Sequence, residues 1–409
     1  RVRVGYDTPI GKDLVLSLSQ AFGRDVVAFS GGDRSALDAT QWVTSLRERV
    51  KGSLSSSLRI DTGIDLEYRV TQYSLTAAVT DSIPQNENID LPVSELSANV
   101  DAYQLALYAE AAWDVVPNLR LIPGLRLDTY LMSGQPRATL DPRLVVRWRV
   151  AKPTTLKSYA GVFHKSPEPE AFDSRFGNPK LGVERAVQTG LGVEHALSRN
   201  ISVEAEVYYA TRQNQASFTQ EVEFRPDGTV QPLFWKNQAH GDTVGLDLLV
   251  RHEITKNFYG WLAYTLARST LQRKPDEATT PTFFDQTHNL TLVASYRTDG
   301  NWEFGGRYRL VTGRPETPVL GGTFDADNDI YVPYTGPRLS GRRPLFHELD
   351  VRAEKTWVFD TWMIAGYLDI TNVYNATNPE ATQYDYRFRD QAPVRGVPIV
   401  PTLGVRGQW

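Results

Sequence analysis

Apolar and polar side chains alternate one by one through stretch after stretch of about ten residues, a pattern that gives a strand two unlike faces and gives a helix none. In 200–213, Ile201, Val203, Ala205 and Val207 alternate with Ser202, Glu204, Glu206 and Tyr208. In 345–357, Leu349, Val351 and Ala353 alternate with Glu348, Asp350, Arg352 and Glu354. Tyr103, Leu105, Leu107, Ala109, Ala111 and Trp113 do the same against Gln104, Tyr108, Glu110 and Asp114, and Leu290, Leu292, Ala294 and Tyr296 mark another run within 286–297. The pattern predicts an all-β chain of about seventeen strands, each with one apolar and one ionic face.

A soluble sandwich would alternate too, but it would not sort its connections by length. Short turns are expected near 9–12, 51–55, 115–118, 151–154, 198–199, 255–257, 298–300 and 358–360. Long polar loops are expected near 23–40, 75–97, 165–185, 214–238, 273–285, 314–344 and 376–398, so short and long alternate almost without exception. A transmembrane antiparallel barrel of the bacterial outer membrane has this layout, with tight periplasmic turns and extended external loops. Trp113, Trp148, Phe258, Trp302, Trp357, Trp362 and Trp409 share the apolar parity of their strands and lie beside short turns or the chain end, where they would form an interfacial girdle.

Several classes are excluded. No run of roughly eighteen apolar residues is present for a membrane-spanning helix. The net charge of −4, with basic residues scattered, offers no nucleic-acid face. With no cysteine there are no disulfides and no thiolate chemistry. Residue 1 is Arg, with no basic stretch and apolar segment after it, so an export signal is expected to have preceded it. Tracing hairpins back from a descending last strand makes 1–8 descend as well. An even-stranded barrel then requires at least one earlier strand, and about five if the whole has about 22.

The chain resembles the TonB-dependent receptors, most specifically over 301–409. There YRLVTGRP (308–315), HELDVRAEKTW (347–357), YLDITNVYNATNPE (367–380) and RGVPIVPTLGVRGQW (395–409) follow in the family's order. Upstream, LIPGLRLD at 121–128, DPR at 141–143, YAGVFHKSPEP at 159–169 and FGNPKLGVERA at 176–186 also look familial. Each has a physical reading. Asn372 and Asn375 suit the turn into the last external loop. In the last strand Leu403, Val405 and Trp409 would face lipid, while Thr402, Arg406 and Gln408 face the lumen. The resemblance implies a receptor barrel over 1–409 and, from the terminal aromatic, recognition by the barrel-assembly machinery. The family usually ends in Phe, where this chain has Trp409. It also implies coupling to TonB and the inner-membrane energy complex through a plug and a TonB box, neither of which lies within these residues.

Catalytic motifs are not found. His164, His195, His240, His252, His288 and His347 lack HExxH-type spacing, no GxSxG elbow occurs, and GYDTPIGK (5–12) imitates a phosphate loop only loosely. The lumen-side charges Glu204, Glu206, Arg307, Arg309, Asp350, Arg352 and Glu354 read as the ionic lining of a barrel rather than acid and base pairs. In FDADNDIY, Asp325, Asp327 and Asp329, with Asn328, place oxygen ligands at a spacing of two, a candidate loop-bound calcium site or else a solvated acidic loop, and no other cofactor is expected. Trp235, Phe283, Phe284, Tyr331, Tyr334, Tyr384 and Arg387, all in long loops, are candidates for a ligand vestibule. The sequence thus points to a receptor importing a scarce ligand, such as a metal chelate, cobalamin, a saccharide or a peptide. A receptor-derived barrel serving as a structural or binding component with other envelope proteins is the alternative.

Overall fold

The computed structural model describes residues 1–30, 35–78, 93–173, 177–224, 230–326 and 329–409. Seventeen long strands follow one another in a single antiparallel meander. They are β1 (Val2–Ile10), β2 (Leu14–Ser30), β3 (Ser35–Ser53), β4 (Leu58–Ala78), β5 (Val93–Val116) and β6 (Leu119–Met132). Then come β7 (Gln135–Ala151), β8 (Thr154–Lys165), β9 (Glu184–Ala196), β10 (Ile201–Phe218), β11 (Trp235–His252) and β12 (Phe258–Gln272). The last five are β13 (His288–Arg297), β14 (Trp302–Val311), β15 (Phe346–Val358), β16 (Met363–Thr371) and β17 (Val400–Gln408). A two-residue extension, Thr280–Pro281, also pairs with β12. Each strand pairs with its sequence neighbours, and no ladder joins β1 to β17 among the described residues.

The alternation read from the sequence is the alternation of the two faces. On β5 the outward Tyr103, Leu105, Leu107 and Trp113 are 43–47% exposed, whereas the inward Ala106 is fully buried. Trp113, Trp148, Trp302, Trp357 and Trp362 are each roughly half exposed near the tight turns, and the outward Phe258 packs edge-on against His252 at 4.9 Å. A second aromatic level lies nearer the loops. There Tyr68 stacks on Tyr103 at 4.5 Å and donates to Asp101 at 2.9 Å, and Tyr209 donates to Asp242 at 2.6 Å. Trp113 and Tyr103 are ten residues apart on β5. At about 3.3 Å per residue and a tilt of about 45°, the apolar band between them is about 23 Å tall, close to the roughly 25 Å of outer-membrane barrels.

All eight expected tight turns lie at one rim, from 11–13 to 359–362. Two of the expected long loops are largely strand. β2 and β3 stay in register from Leu14↔Gly52 to Ser30↔Ala36, and β4 and β5 from Leu58↔Trp113 to Ala78↔Val93. The loops placed at 23–40 and 75–97 therefore shrink towards 31–34 and 79–92, which lie outside the described residues. Polar residues in those stretches do not stop a ladder whose backbone pairing continues. The alternation of short and long also has an exception on the loop rim. β6 and β7 are joined there by Ser133 and Gly134 alone, at φ 46° and 73°. Two consecutive positive φ values are what a two-residue hairpin with a type I′ turn requires.

Inward tyrosines repeatedly lie across glycines on the next strand. Tyr108 faces Gly63, Tyr159 faces Gly190, Tyr208 faces Gly245 and Tyr367 faces Gly404. A Cβ built on any of these glycines would overlap the ring. The missing side chain gives the ring a place to lie flat on the wall, and the ring covers backbone that glycine leaves bare. Gly245→Val should lower barrel stability by about 1–3 kcal/mol through overpacking. Its urea midpoint in lipid vesicles should fall, and Tyr208→Ala in the same background should restore much of it because the two side chains share one space.

Candidate functional site

The inner wall is an ionic lattice. Arg126 joins Asp65 and Asp128, both at 2.8 Å, and Arg47 meets Asp65 at 2.5 Å. Arg143 meets Glu110 at 2.9 Å, and Lys157 meets Glu194 at 2.8 Å and also Glu204. Towards the last strands Arg307 binds Asp350 at 2.5 Å, Arg352 bridges Asp369 at 2.7 Å and Glu354, and Arg406 reaches Glu354 at 3.0 Å. The sequence-predicted inward charges Glu204, Arg307, Asp350, Arg352 and Glu354 all take part. Arg309 instead lies over the ring of Phe346 at 5.2 Å. A groove of ≈450 Å³ runs along this wall, lined by Tyr259, Glu303, Arg307, Asp350 and Arg352 among others. Such a surface suits water, a polar ligand or a polar domain.

Above the wall, the loops are pinned by three amides, two of them buried, and by a buried carboxylate. Asn372, wholly buried, donates to the carbonyls of Ala376 and Val397, both at 2.9 Å, and accepts from the Ala376 amide at 2.8 Å. Asn375 accepts from the Ile399 amide at 3.2 Å. Asn378 pairs with both backbone groups of His347, at 3.0 and 2.8 Å, as a neighbouring strand would. All three have positive φ, of 52°, 54° and 39°, a conformation asparagine tolerates better than most residues. The turn expected at Asn372 and Asn375 is present. Asn378 was not singled out, although its spacing of three from Asn375 was there to be read. Asp285, 1% exposed, takes a 2.6 Å bond from the Ser269 amide and ion pairs from Arg268 at 3.1 Å and from Arg342. Arg342 also donates to the carbonyls of Asp285 and Gly313, so this one carboxylate ties loop 273–287 to loop 312–345.

A third loop folds onto the inner face. The short helix α1 (Pro169–Phe172) buries Ala171 and Phe172, joined by Leu181 beyond it, against Tyr73, Val100, Tyr130 and Met132. Trp235 packs against this cluster, and its carbonyl accepts from Asn178 at 2.9 Å. Trp235 therefore sits at a loop base, apart in its contacts from the other vestibule candidates.

Those candidates fall into two further groups. Hairpin 319–335 leans on hairpin 381–394: Tyr331 meets Phe324 at 5.2 Å and Tyr386 at 5.8 Å, and Arg387 lies over Tyr331 and Tyr386 at 5.9 and 4.9 Å. Tyr384 belongs here through Phe388, at 6.1 Å, while Tyr334 covers Gly321 on its own hairpin. Phe283 and Phe284 form the other group, edge to face at 5.1 Å with Arg314 over both rings at 5.8 and 5.7 Å. Tyr386 and Arg314, central to the two groups, were not singled out from sequence. Of the calcium candidates, Asp327 and Asn328 lie outside the described residues, and Asp325 and Asp329 flank the tip of hairpin 319–335. In the last strand Leu403 and Val405 point outward and are 81% and 73% exposed, and Trp409, just past its end, is 98% exposed.

A family model described as TonB dependent receptor-like, beta-barrel matches residues 2–390. Among solved structures, the chain is similar to the ferric-catecholate import receptor Fiu from K12 E. coli, with a TM-score of 0.65 and 13% identity over 99% of this chain and 63% of that one. It is similar to the pyoverdine outer membrane receptor FpvA from Pseudomonas aeruginosa PAO1, with a TM-score of 0.68 and 13% identity over 100% and 61%. It is also similar to the copper transporter OprC, with a TM-score of 0.63 and 14% identity over 98% and 64%. The chain thus spans less than two thirds of the length of each. No curated protein sequence matches it.

Asp285→Ala would leave Arg268 and Arg342, both partly exposed, without their shared buried partner, a loss of about 1–3 kcal/mol. Protease should then cut within 273–287 and 312–345 while the sheet stays folded. The Asp385 carboxyl is held below the usual carboxylate range, chiefly by the Asp390 amide and then by the amides of Arg389 and Arg387. A depressed carboxylate stabilises its turn above its unfolded value of about 3.9 and loses that contribution as pH falls through the folded value. Exchange of the Arg389 and Asp390 amides should accelerate only below about pH 4, and Asp385→Asn should remove that dependence.

Proposed function

Because this chain belongs to the TonB dependent receptor-like β-barrel family, we propose that it is an integral outer-membrane receptor that captures a scarce metal chelate at its external loops for import through the barrel. The observation that carries the reading is the pair of loop sites in which a guanidinium is braced over aromatic rings, Arg387 on Tyr331 and Tyr386 and Arg314 on Phe283 and Phe284. Aromatic faces bind flat organic chelators, and a guanidinium fixed over a ring is a preorganised donor for their carboxylate or phenolate oxygens. Among the similar folds are a ferric-catecholate import receptor, a ferric citrate transporter and a copper transporter. The ionic inner wall would then offer the cargo, and the plug that TonB and the inner-membrane complex act upon, a wetted polar path. Export of the chain and its insertion by the barrel-assembly machinery go with the same reading, the exposed Leu403, Val405 and Trp409 being the segment presented.

The test is binding of ferric chelates to the intact protein in outer-membrane vesicles, read by quenching of intrinsic fluorescence. A ferric citrate or catecholate complex should bind, and Arg387→Ala should raise its Kd about tenfold, the loss of one charge-assisted contact. No saturable quenching by any ferric or cupric chelate, from a chain that fractionates with outer membranes, would overturn the metal-chelate assignment.

A further inference from the structure

The outward band carries one ionisable side chain without the support that others of its kind have. Asp101 is held by Tyr68 and Asp242 by Tyr209, and Lys355 lies over the Trp302 ring at 5.6 Å, all at the aromatic levels. Glu48 on β3 is different. It lies between Leu46 and Val50 along its own strand and between Leu18 and Ile64 on the strands either side, and Leu18, Leu46 and Ile64 point outward at 44%, 38% and 40% exposed. Glu48 is itself exposed, and no hydrogen bond or ion pair reaches it from within the described residues. Diagonal to it on the same face is Gln20, set opposite Leu46 on β2, likewise exposed and without a partner. Beside Glu48 the outer wall is indented by a groove of ≈460 Å³, with Thr62 and Ala109 among Val50, Ile64, Leu107 and Leu125. Thr62 already spends its hydroxyl on the Tyr108 carbonyl at 2.7 Å, so the groove presents a small, largely apolar floor.

A carboxyl and an amide in hydrocarbon are costly unless each finds a partner, and small residues in a membrane-facing surface let a second surface approach closely. A two-fold interface brings residue i of one copy to residue j of the other and j to i. Gln20 supplies a donor and Glu48 an acceptor on one patch, so the patch is complementary to itself. We propose that the outer face of β2–β5 is the contact between two copies of this chain in the membrane, each Glu48 accepting from the other's Gln20 while the groove receives apolar side chains of the facing copy. This rests on the outer-membrane placement proposed above.

Because the chain has no cysteine, single-cysteine variants report the contact directly. Val50→Cys sits beside Glu48, and Leu292→Cys, outward on β13, serves as the distant control. Each is expressed from the intact gene, scored first for fractionation with outer membranes and for the heat-dependent gel shift of a folded barrel. Each is then treated in those membranes with a short bismaleimide. The expected result is a band at twice the chain mass for Val50→Cys and not for Leu292→Cys. Adding Glu48→Leu should reduce that band roughly tenfold, the effect of losing an intramembrane hydrogen bond, without loss of the gel shift. A folded chain in the outer membrane that gives no more dimer from Val50→Cys than from Leu292→Cys overturns the contact between copies. So does a Val50→Cys dimer indifferent to Glu48→Leu, or an adduct only to a different protein. A chain absent from the outer-membrane fraction overturns the membrane placement instead.

Discussion

A sheet with hydrocarbon on one side can satisfy its peptide groups only through its neighbouring strands, and this requirement governs everything else in the molecule. From β2 to β16 each strand is paired on both sides, and the register breaks, at Asp114/Val116, Arg149/Ala151 and Arg212 to Ala216, lie towards strand ends. Because side chains alternate with period two, continuous pairing fixes which face each residue occupies. A slip of one residue in β15 would turn Glu348, Asp350, Arg352 and Glu354 outward together and Leu349, Val351 and Ala353 inward. The ionic face and the apolar face therefore hold the register jointly with the backbone.

The inner face follows from the same constraint. Charges that cannot point outward are confined to a concave wall where they meet across strands, and Arg126 between Asp65 and Asp128 or Arg352 between Asp369 and Glu354 are the result. Planar guanidinium groups serve here because each can engage two carboxylates at once. Tyrosines lying over glycines fill the same wall with flat rings. Arg352 stacks on Tyr367 at 3.9 Å, so the lattice of charges and the lattice of rings are one packed layer.

Strand number, strand faces and the tight-turn rim were legible because they rest on local alternation, which a single sequence displays, while the family was legible only through its resemblance in the motifs of 308–409. The loops were not, because their order comes from pairs distant in sequence. Nothing around Asp285 announces that Arg268 and Arg342 will converge on it, and nothing in PEAF announces a helix buried against Tyr130 and Met132. The overextended loops at 23–40 and 75–97 failed for the opposite reason. Polar composition suggests the end of a strand there, whereas the ladder simply runs on, as a strand wall rising above the band can do. Likewise the candidate vestibule residues were grouped by type, aromatic or basic, whereas contact sorts them into Tyr331 with Arg387, Phe283 with Phe284, and Trp235 in a loop base.

That sorting bears on how a receptor of this kind can move. Loop roots are held by groups buried and fully bonded, such as Asn372 and Asp285, and opening them would expose several donors and acceptors at once. The tips are held by rings and guanidinium groups in contact with water, where each contact is weak and replaceable. Hairpins 319–335 and 381–394 touch through Tyr331, Tyr386 and Arg387, contacts that can be exchanged without disturbing the roots. Rigidity at the root and exchangeable contacts at the tip are what the proposed capture and release would require of these loops, and the roots differ from the tips in having their polar groups buried, as at Asn372 and Asp285.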